Sequence, residues 1–360
     1  MPFGGGGSNA RSAAGSAVQP ARGWCEAQPN TAWRAVLAGA VVGVSRSASI
    51  VPIAPARDGR TFFTEIWSSS FSGVARIDGG TSRVTPIKAF PDAANDQALG
   101  NFDGRWLVWR EYHSLYNGND FSVWAWDSRG GKPKRIGAAR QAPNGSSWPS
   151  SSRNPDVRNG IATWEQGSGD GGIGDIHAFD LASGRDWIVR HAHVGGSFFY
   201  GGLIVWSESL RPDALTVMRA VDARTRRGRS VPVSLRRLRG VSGLFTDGRA
   251  IAYPDAHFKS LWWSPKPSVV PRQLFGTGYG DSVANSVQIA GRYIVFGVEP
   301  HTYLVDTATR RYLELKGGGW GSLNSGALVI LKPSSAKASH TISDVLFLPL
   351  RSLPAIPRCR

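Results

Sequence analysis

The chain has 360 residues but only two cysteines, Cys25 and Cys359, one near each end. No Cys-x-x-Cys or Cys/His spacing of a zinc site occurs. Acid is scarce too. Asp and Glu number 26 against 42 Lys and Arg, a formal net charge of +16 in a sequence only 19% charged. The surplus therefore reflects few acids more than many bases. It suits an anionic partner (nucleic acid, anionic polymer or lipid surface) or an arginine-rich surface with none. Long apolar runs are missing: Ala35–Val44 is too short to span a bilayer. The first 23 residues are rich in Gly, Ser and Ala, lack the apolar core of a signal peptide, and are expected to form a disordered tail. No P-loop, dinucleotide fingerprint or nucleophile elbow occurs, and GGGG near the start reads as linker.

What is abundant is turn and strand chemistry, with 44 Gly, 22 Pro and 14 Trp. Six segments share a glycine, an apolar or aromatic pair and a closing acid. They are DGRTFFTE (58–65), DGRWLVWRE (103–111), NGIATWE (159–165), GGLIVWSE (201–208), DGRAIAYPD (247–255) and AGRYIVFGVE (290–299). Most lead into a second strand-like run ending in Asp: Asp127, Asp180, Asp222 and Asp306. The anchoring glycines are Gly59, Gly104, Gly160, Gly202, Gly248, Gly291 and, more weakly, Gly326, at intervals of 45, 56, 42, 46, 43 and 35 residues. Four-stranded propeller blades recur at about 40–50 residues. Unit two parses most clearly, as ALGNF, WLVWRE, FSVWAWD and KPKRIG separated by Gly/Asp turns. Unit seven is the atypical one: Gly326 leads ALVILK, SDVLFLPL and LPAI. The expected fold is all-β, a β-propeller of seven four-stranded blades over residues 49–357, with six blades plus irregular closing strands as the alternative. Residues 1–23 form the tail, and 24–48 a lead-in with one short helix starting near Asn30 or Thr31. In a ring the chain ends meet, so a Cys25–Cys359 disulfide is one reading and two free thiols the other; a bridge implies an oxidising compartment.

DIHAFDLASGR (175–185), preceded by ATWEQ, resembles the tandem repeat of TolB-like propellers, with looser matches in LVWRE…NDFSVWAWDSRGG and IVFGVE…TYLVDTATR. The resemblance covers about residues 49 to 320. It implies a propeller of a group with periplasmic, cell-surface and enzymatic members, and so speaks to fold more than to function.

In such a ring the loops from second to third strand, and from fourth strand to the next unit, share one face. The tight turns share the other. Long loops then gather on the first face: 65–73, 111–120, 165–175, 207–213, 254–260, 138–156, 190–197 and 274–286. The closing acids Glu65, Glu111, Glu165, Glu208, Asp255 and Glu299 fall there. They form either a rim for a cation or a glycosidic carboxylate pair, or strand-end framework repeated in every unit. His113, His191, His193, His257, His301 and His340 fall in the same loops, and His177 in a strand. No spacing matches a ligand set, so no metal or cofactor is expected; GSGDGGIGD (167–175) lacks calcium-loop spacing. Trp109, Trp164 and Trp206 recur at one strand position and are expected between units. Trp148 fits no repeat. With Tyr112, Tyr116, Phe198, Phe199 and Tyr279 it is a candidate for a carbohydrate or peptide site, or pins its own loop. Arg219, Arg224, Arg226, Arg227, Arg229, Arg236, Arg237 and Arg239 cluster on the outer hairpin of unit four, as edge protection or as a dock for a polyanion or anionic surface.

The expectation is a monomeric, non-catalytic binding or scaffold propeller outside the cytoplasm. It takes a protein, peptide or glycan on the long-loop face through Glu111, Tyr112, His113, Trp148, Glu165, His191, His193, Glu208 and His301. The alternative is a polysaccharide-active hydrolase or lyase using carboxylates and histidines of that face.

Overall fold

Each Asp-Gly-Arg element folds the chain back through its carboxylate. Asp58 Oδ1 accepts the N–H groups of Arg60 and Thr61 at 2.8 and 3.0 Å. Asp103 Oδ1 takes those of Arg105 and Trp106 at 2.9 and 2.8 Å, and Asp247 Oδ1 those of Arg249 and Ala250, both at 2.8 Å. The second carboxylate oxygen reaches the next unit: Asp103 Oδ2 accepts from Gly160 N at 2.8 Å, and Asp247 Oδ2 from Gly291 N at 2.7 Å. The intervening glycine is favoured at Gly104 by a φ of +104°, and it lets the Arg57 side chain lie close against the turn, where a Cβ would meet it at 2.9 Å.

A second repeated turn joins the third and fourth strands. Asp78 accepts from Gly80 and Thr81, Asp180 from Ala182 and Ser183, and Asp222 from Arg224 and Thr225. These N–H groups, the third residue's foremost, hold the three carboxyls below the usual range. Four residues after each Asp the backbone is left-handed: Ser82 at +58°, Gly184 at +74°, Arg226 at +60° and, after Asp306, Arg310 at +56°. A turn followed by one left-handed residue is a common hairpin closure.

The computed structural model describes residues 18–43, 48–92, 96–113, 119–148, 154–169, 173–209, 216–236, 238, 244–255, 257–277, 287–298, 301–315, 321–324, 326–331 and 344–359. Unit one pairs Ser49–Pro55, Thr61–Trp67, Ser72–Asp78 and Val84–Ala89 as an antiparallel sheet. Unit two pairs Gln97–Phe102, Trp106–Tyr112, Phe121–Asp127 and Lys134–Ala138 likewise. Unit three runs from Asp156–Arg158 through Ile161–Gly167 and Ile173–Asp180 to Arg185–Val194. That last strand continues into unit four (Phe198–Tyr200, Leu203–Ser209, Val217–Asp222) by pairing His193 with Ser209 and Val194 with Glu208, so the two units form one seven-stranded sheet. Unit five spans Phe245–Thr246 to Arg272–Thr277, and unit six Gln288–Ala290 to Arg311–Leu315.

The first strands of consecutive units touch in turn, and that of unit seven (Gly321–Leu323) touches that of unit one, so the array closes on itself. Between each adjacent pair of sheets lies an apolar core. Ile50, Phe62 and Ile77 meet Val329 and Phe347 across the closing junction, and Phe63, Phe102 and Trp109 pack between units one and two. Trp109, Trp164 and Trp206 are buried in these junctions, as the repeat predicts.

The N-terminal segment is woven through the ring. Val18–Pro20 adds antiparallel to the outer strand of unit five, and Cys25–Glu26 adds parallel to that of unit six. A helix follows over Thr31–Gly39, capped by Asn30 Oδ1 on Trp33 N at 3.0 Å. Trp33 is fully buried and donates its indole N–H to Ala355 O at 3.1 Å. Val41–Gly43 then supplies the outermost strand of unit seven, beside Asp344–Pro349. The run LPAI, expected in that role, lies outside the sheet. Long-range pairing decides this, since Val41–Gly43, from the far end of the chain, occupies that edge. Cys25 and Cys359 form a disulfide with Cα atoms 6.1 Å apart.

Candidate functional site

The antiparallel order puts the ends of the second strands, the starts of the third and the ends of the fourth on one face of the ring. His113 follows a second strand there; His193 and His301, expected in long loops, lie within the strands Arg185–Val194 and His301–Asp306 near the same face. Glu65, Glu111, Glu165, Glu208 and Asp255 fall there too. Their side chains do not form an open rim. Glu111 is fully buried and meets Lys88 Nζ at 2.9 Å, a contact between the outer strand of unit one and the second strand of unit two. Glu208 repeats it two junctions on, bound by Arg190 Nη2 at 2.7 Å and Nε at 2.9 Å and by the Trp206 indole at 3.1 Å. Burial alone would raise the Glu208 carboxyl; Arg190 and Trp206 outweigh it and hold it low. Glu65 accepts from Ala98 N of unit two, and burial pushes it up to about 8 against that bond. Glu165 is buried beside Arg110, whose Nη2 donates to the Glu165 carbonyl at 2.9 Å. Asp255 closes its own turn on His257 N and Lys259 N. Glu299, His340, Tyr116, Tyr279, Arg237 and Arg239 lie outside the described residues.

Two polar clusters remain on this face. In the first, His113 Nδ1 lies 3.2 Å from Asp96 Oδ1 and its Nε2 lies 3.0 Å from Ser122 Oγ. Asp96, Glu111 and His113 also offer ligand atoms within 4.8 Å of one another. The chain Asp96–His113–Ser122 has the orienter, base and hydroxyl order of acyl-transfer sites. Yet Ser122 is only 6% exposed, and the nearby Glu111 brings a further carboxylate within 4.8 Å of His113, not a donor for an oxyanion. In the second cluster Asp175, buried, lies 2.6 Å from His191 Nδ1 and forms an ion pair with Arg140 Nη1 at 3.1 Å, with Ser168 Oγ 3.3 Å from the same His191 nitrogen. Trp148, half-buried, hangs from the Arg140 carbonyl through its N–H at 2.9 Å. The loop that breaks the repeat and the His191 pair are thus joined through Arg140 and Asp175. His301 sits apart, 2.9 Å from Glu314.

The expected aromatic lining divides. Tyr112, Phe198 and Phe199 are buried in the inter-unit cores and present no face to a ligand. The first long loop is also short in fact, closing as the turn Ser68–Phe71. The repeat marks none of Asp96, Ser122, Lys88 and Arg140, and it marks Asp175 only as the opening of a strand. Each of these acts through a partner in another strand.

The opposite face, that of the tight turns, carries a cleft of about 610 Å³. Its walls come from the turns of units one to four, and they include Arg224 and Arg226 of the arginine cluster. The one sequence signal for it is the repetition of Gly-Arg-Trp (104–106) and Gly-Arg-Asp-Trp (184–187) at the turns.

No family model matches the chain, and no curated protein matches it. Solved structures do. A prolyl endopeptidase aligns at TM-score 0.55 and 13% identity over 89% of this chain, which spans 49% of that protein. The β-propeller domain of the Trilobed protease from Pyrococcus furiosus aligns at TM-score 0.55 and 10% identity, covering 85% of this chain and 94% of that one. An oligogalacturonate lyase in complex with manganese aligns at TM-score 0.53 and 11% identity, covering 85% and 91%. The chain is therefore an all-β protein with propeller-like neighbours. At these identities the likeness is one of fold.

Proposed function

We propose that the protein is a seven-bladed, non-catalytic binding propeller of the TolB-like repeat type, working outside the cytoplasm. It takes a protein, peptide or glycan on its long-loop face. The observation that carries this reading is the use of the closing acids: Glu111 on Lys88, Glu208 on Arg190 and Glu65 on Ala98 N tie neighbouring units. Carboxylates so engaged hold a frame and do not act as a poised acid and base. The blade count rests on seven cores between consecutive units and the closed cycle of first strands. The compartment rests on the Cys25–Cys359 disulfide. No helix among the described residues is long and apolar enough to cross a membrane. The ligand surface on this reading is the Trp148, Arg140 and His191 cluster. A glycan and peptide array on the full chain should give a hit that Trp148→Ala and His191→Ala weaken and that is not turned over. A hit indifferent to both variants overturns the placement.

The Asp96–His113–Ser122 chain favours a second reading, an enzyme. An acyl- or glycosyl-substrate screen in which turnover appears and is abolished by Ser122→Ala or His113→Ala would replace the first reading with this one.

A further inference from the structure

The turn-face cleft is lined by Arg57, Arg105, Trp106, Trp187, Arg224 and Arg226. Its volume falls within the roughly 300–1,000 Å³ usual for ligand sites. Two of the arginines are stacked on the two indoles: Arg226 Cζ lies 4.1 Å from the Trp187 ring centre, and Arg105 Cζ 4.8 Å from that of Trp106. Stacking orients a guanidinium by its face and leaves its N–H edges in plane, free to fork onto a carboxylate. Arg105 already spends two of these donors on Asp127. Arg57, Arg224 and Arg226 make no ion pair among the described residues. Two acids line the cleft with them, Asp103 and Asp180. Both accept backbone N–H groups, and those of Ser183 and Ala182, with a smaller contribution from Arg226, hold the Asp180 carboxyl low. Arg57, Arg224 and Arg226 therefore exceed the two acids by one positive charge.

Arg226 holds φ at +60°, as Ser82 and Arg310 do at the same place in their turns, whereas unit three uses Gly184 there. Left-handed backbone costs a residue with a side chain about 1–2 kcal/mol, and glycine nothing comparable. Local turn stability thus favours glycine at 226, while the cleft favours the guanidinium over Trp187.

We propose that this cleft binds an acidic polysaccharide, a chain of sugar rings bearing carboxylates. Each half-buried indole carries a guanidinium on its ring, which leaves only its uncovered part to a pyranose, and the arginine edges answer the carboxylates. The site lies on the face opposite the one assigned to the binding function, and stands or falls separately from it. The choice of a polysaccharide over a nucleic acid rests on the extracytoplasmic compartment proposed above, which the disulfide supports.

The test is calorimetric titration of the full chain with a uronic-acid oligomer, a neutral oligosaccharide of the same length, a single-stranded oligonucleotide and polyglutamate. The uronate oligomer should bind, with affinity falling as salt rises, and the neutral one should not. Arg226→Gly should weaken binding at least about tenfold while leaving thermal stability equal or higher. Arg224→Ala and Trp187→Ala should weaken it too. Arg310→Gly, the same backbone change in the turn of unit six, should leave it intact. An oligonucleotide or polyglutamate bound as tightly as the uronate overturns the assignment of ligand class. Unchanged uronate affinity in Arg226→Gly overturns the site. Loss of binding in Trp148→Ala with retention in Arg226→Gly moves the ligand to the long-loop face and also rejects this proposal.

Discussion

Lys88 Nζ stands 2.9 Å from Glu111 Oε1 across the junction of two sheets, and Glu111 is fully buried. Lys88 also caps the Trp124 ring at 4.4 Å, so one ammonium serves an acid and an aromatic face at once. Arg190 and Glu208 repeat the relationship two junctions on. In both cases a base on an outer strand meets the acid that closes the next unit's second strand.

Removing one partner of such a pair leaves a charge buried alone. Lys88→Met should destabilise the protein by about 3–5 kcal/mol. The double variant Lys88→Met/Glu111→Leu should recover most of that loss, because two apolar groups carry no desolvation cost. Chemical denaturation of the four corners of the cycle measures it. A double variant as unstable as the worse single one would mean that packing, not charge, holds the junction.

Glu65 makes stability depend on pH in the alkaline direction. Its ordinary value of 4.5 is raised to about 8 by burial. The contribution is whole below pH 4.5 and is lost as pH rises through 8, where ionising the buried group opposes folding. Glu65→Gln should match the wild type near pH 5. It should exceed the wild type above about pH 8 by up to a few kcal/mol. Melting curves at several pH values check it, and parallel profiles for the two proteins would refute it.

The disulfide closes a loop of sequence separation 334. The chain-entropy model credits such a loop with about 5–6 kcal/mol, an upper bound because Val41–Gly43 already binds the last sheet. Cys25→Ser should lower the melting temperature by several degrees, and reductant should do the same to the wild type but nothing further to the variant.

The third-to-fourth strand turns give a pair of opposite expectations. Ser82→Gly should stabilise by up to about 1 kcal/mol, and Gly184→Ala should destabilise by a similar amount, because both positions are left-handed. Ser82 lies away from the lining of the cleft, so ligand binding should be unmoved in Ser82→Gly, whereas Gly184 closes the turn that carries the cleft residues Asp180, Ala182 and Trp187. Thermal melts of both variants and a titration of Ser82→Gly check these expectations.

Local chemistry was legible in the residues. Asp-Gly-Arg turns, the Asn30 cap on Trp33 and the tryptophans between sheets each follow from contacts within a few residues or from strict recurrence. The candidate site was legible only in part. His191 and Trp148 stood out as departures from the repeat. Arg140 and Asp175, which join them, did not, because the contacts span long intervals of chain. Tyr112, Phe198 and Phe199 misled because an aromatic at a strand end looks the same whether it faces a core or a ligand.

The sequence alone determined the recurring glycine–aromatic–acid unit and, through its period, an all-β array whose units must bury their faces on one another. Tertiary structure decided what the acids of that unit do. Only when the sheets are stacked do Lys88 and Arg190 come within reach of Glu111 and Glu208 and turn an apparent ring of free carboxylates into ties between neighbours. It also decided which strand closes the ring, and that the open cleft with its stacked arginines lies on the side of the short turns. These are pairings between residues far apart in the chain, and no local pattern encodes them.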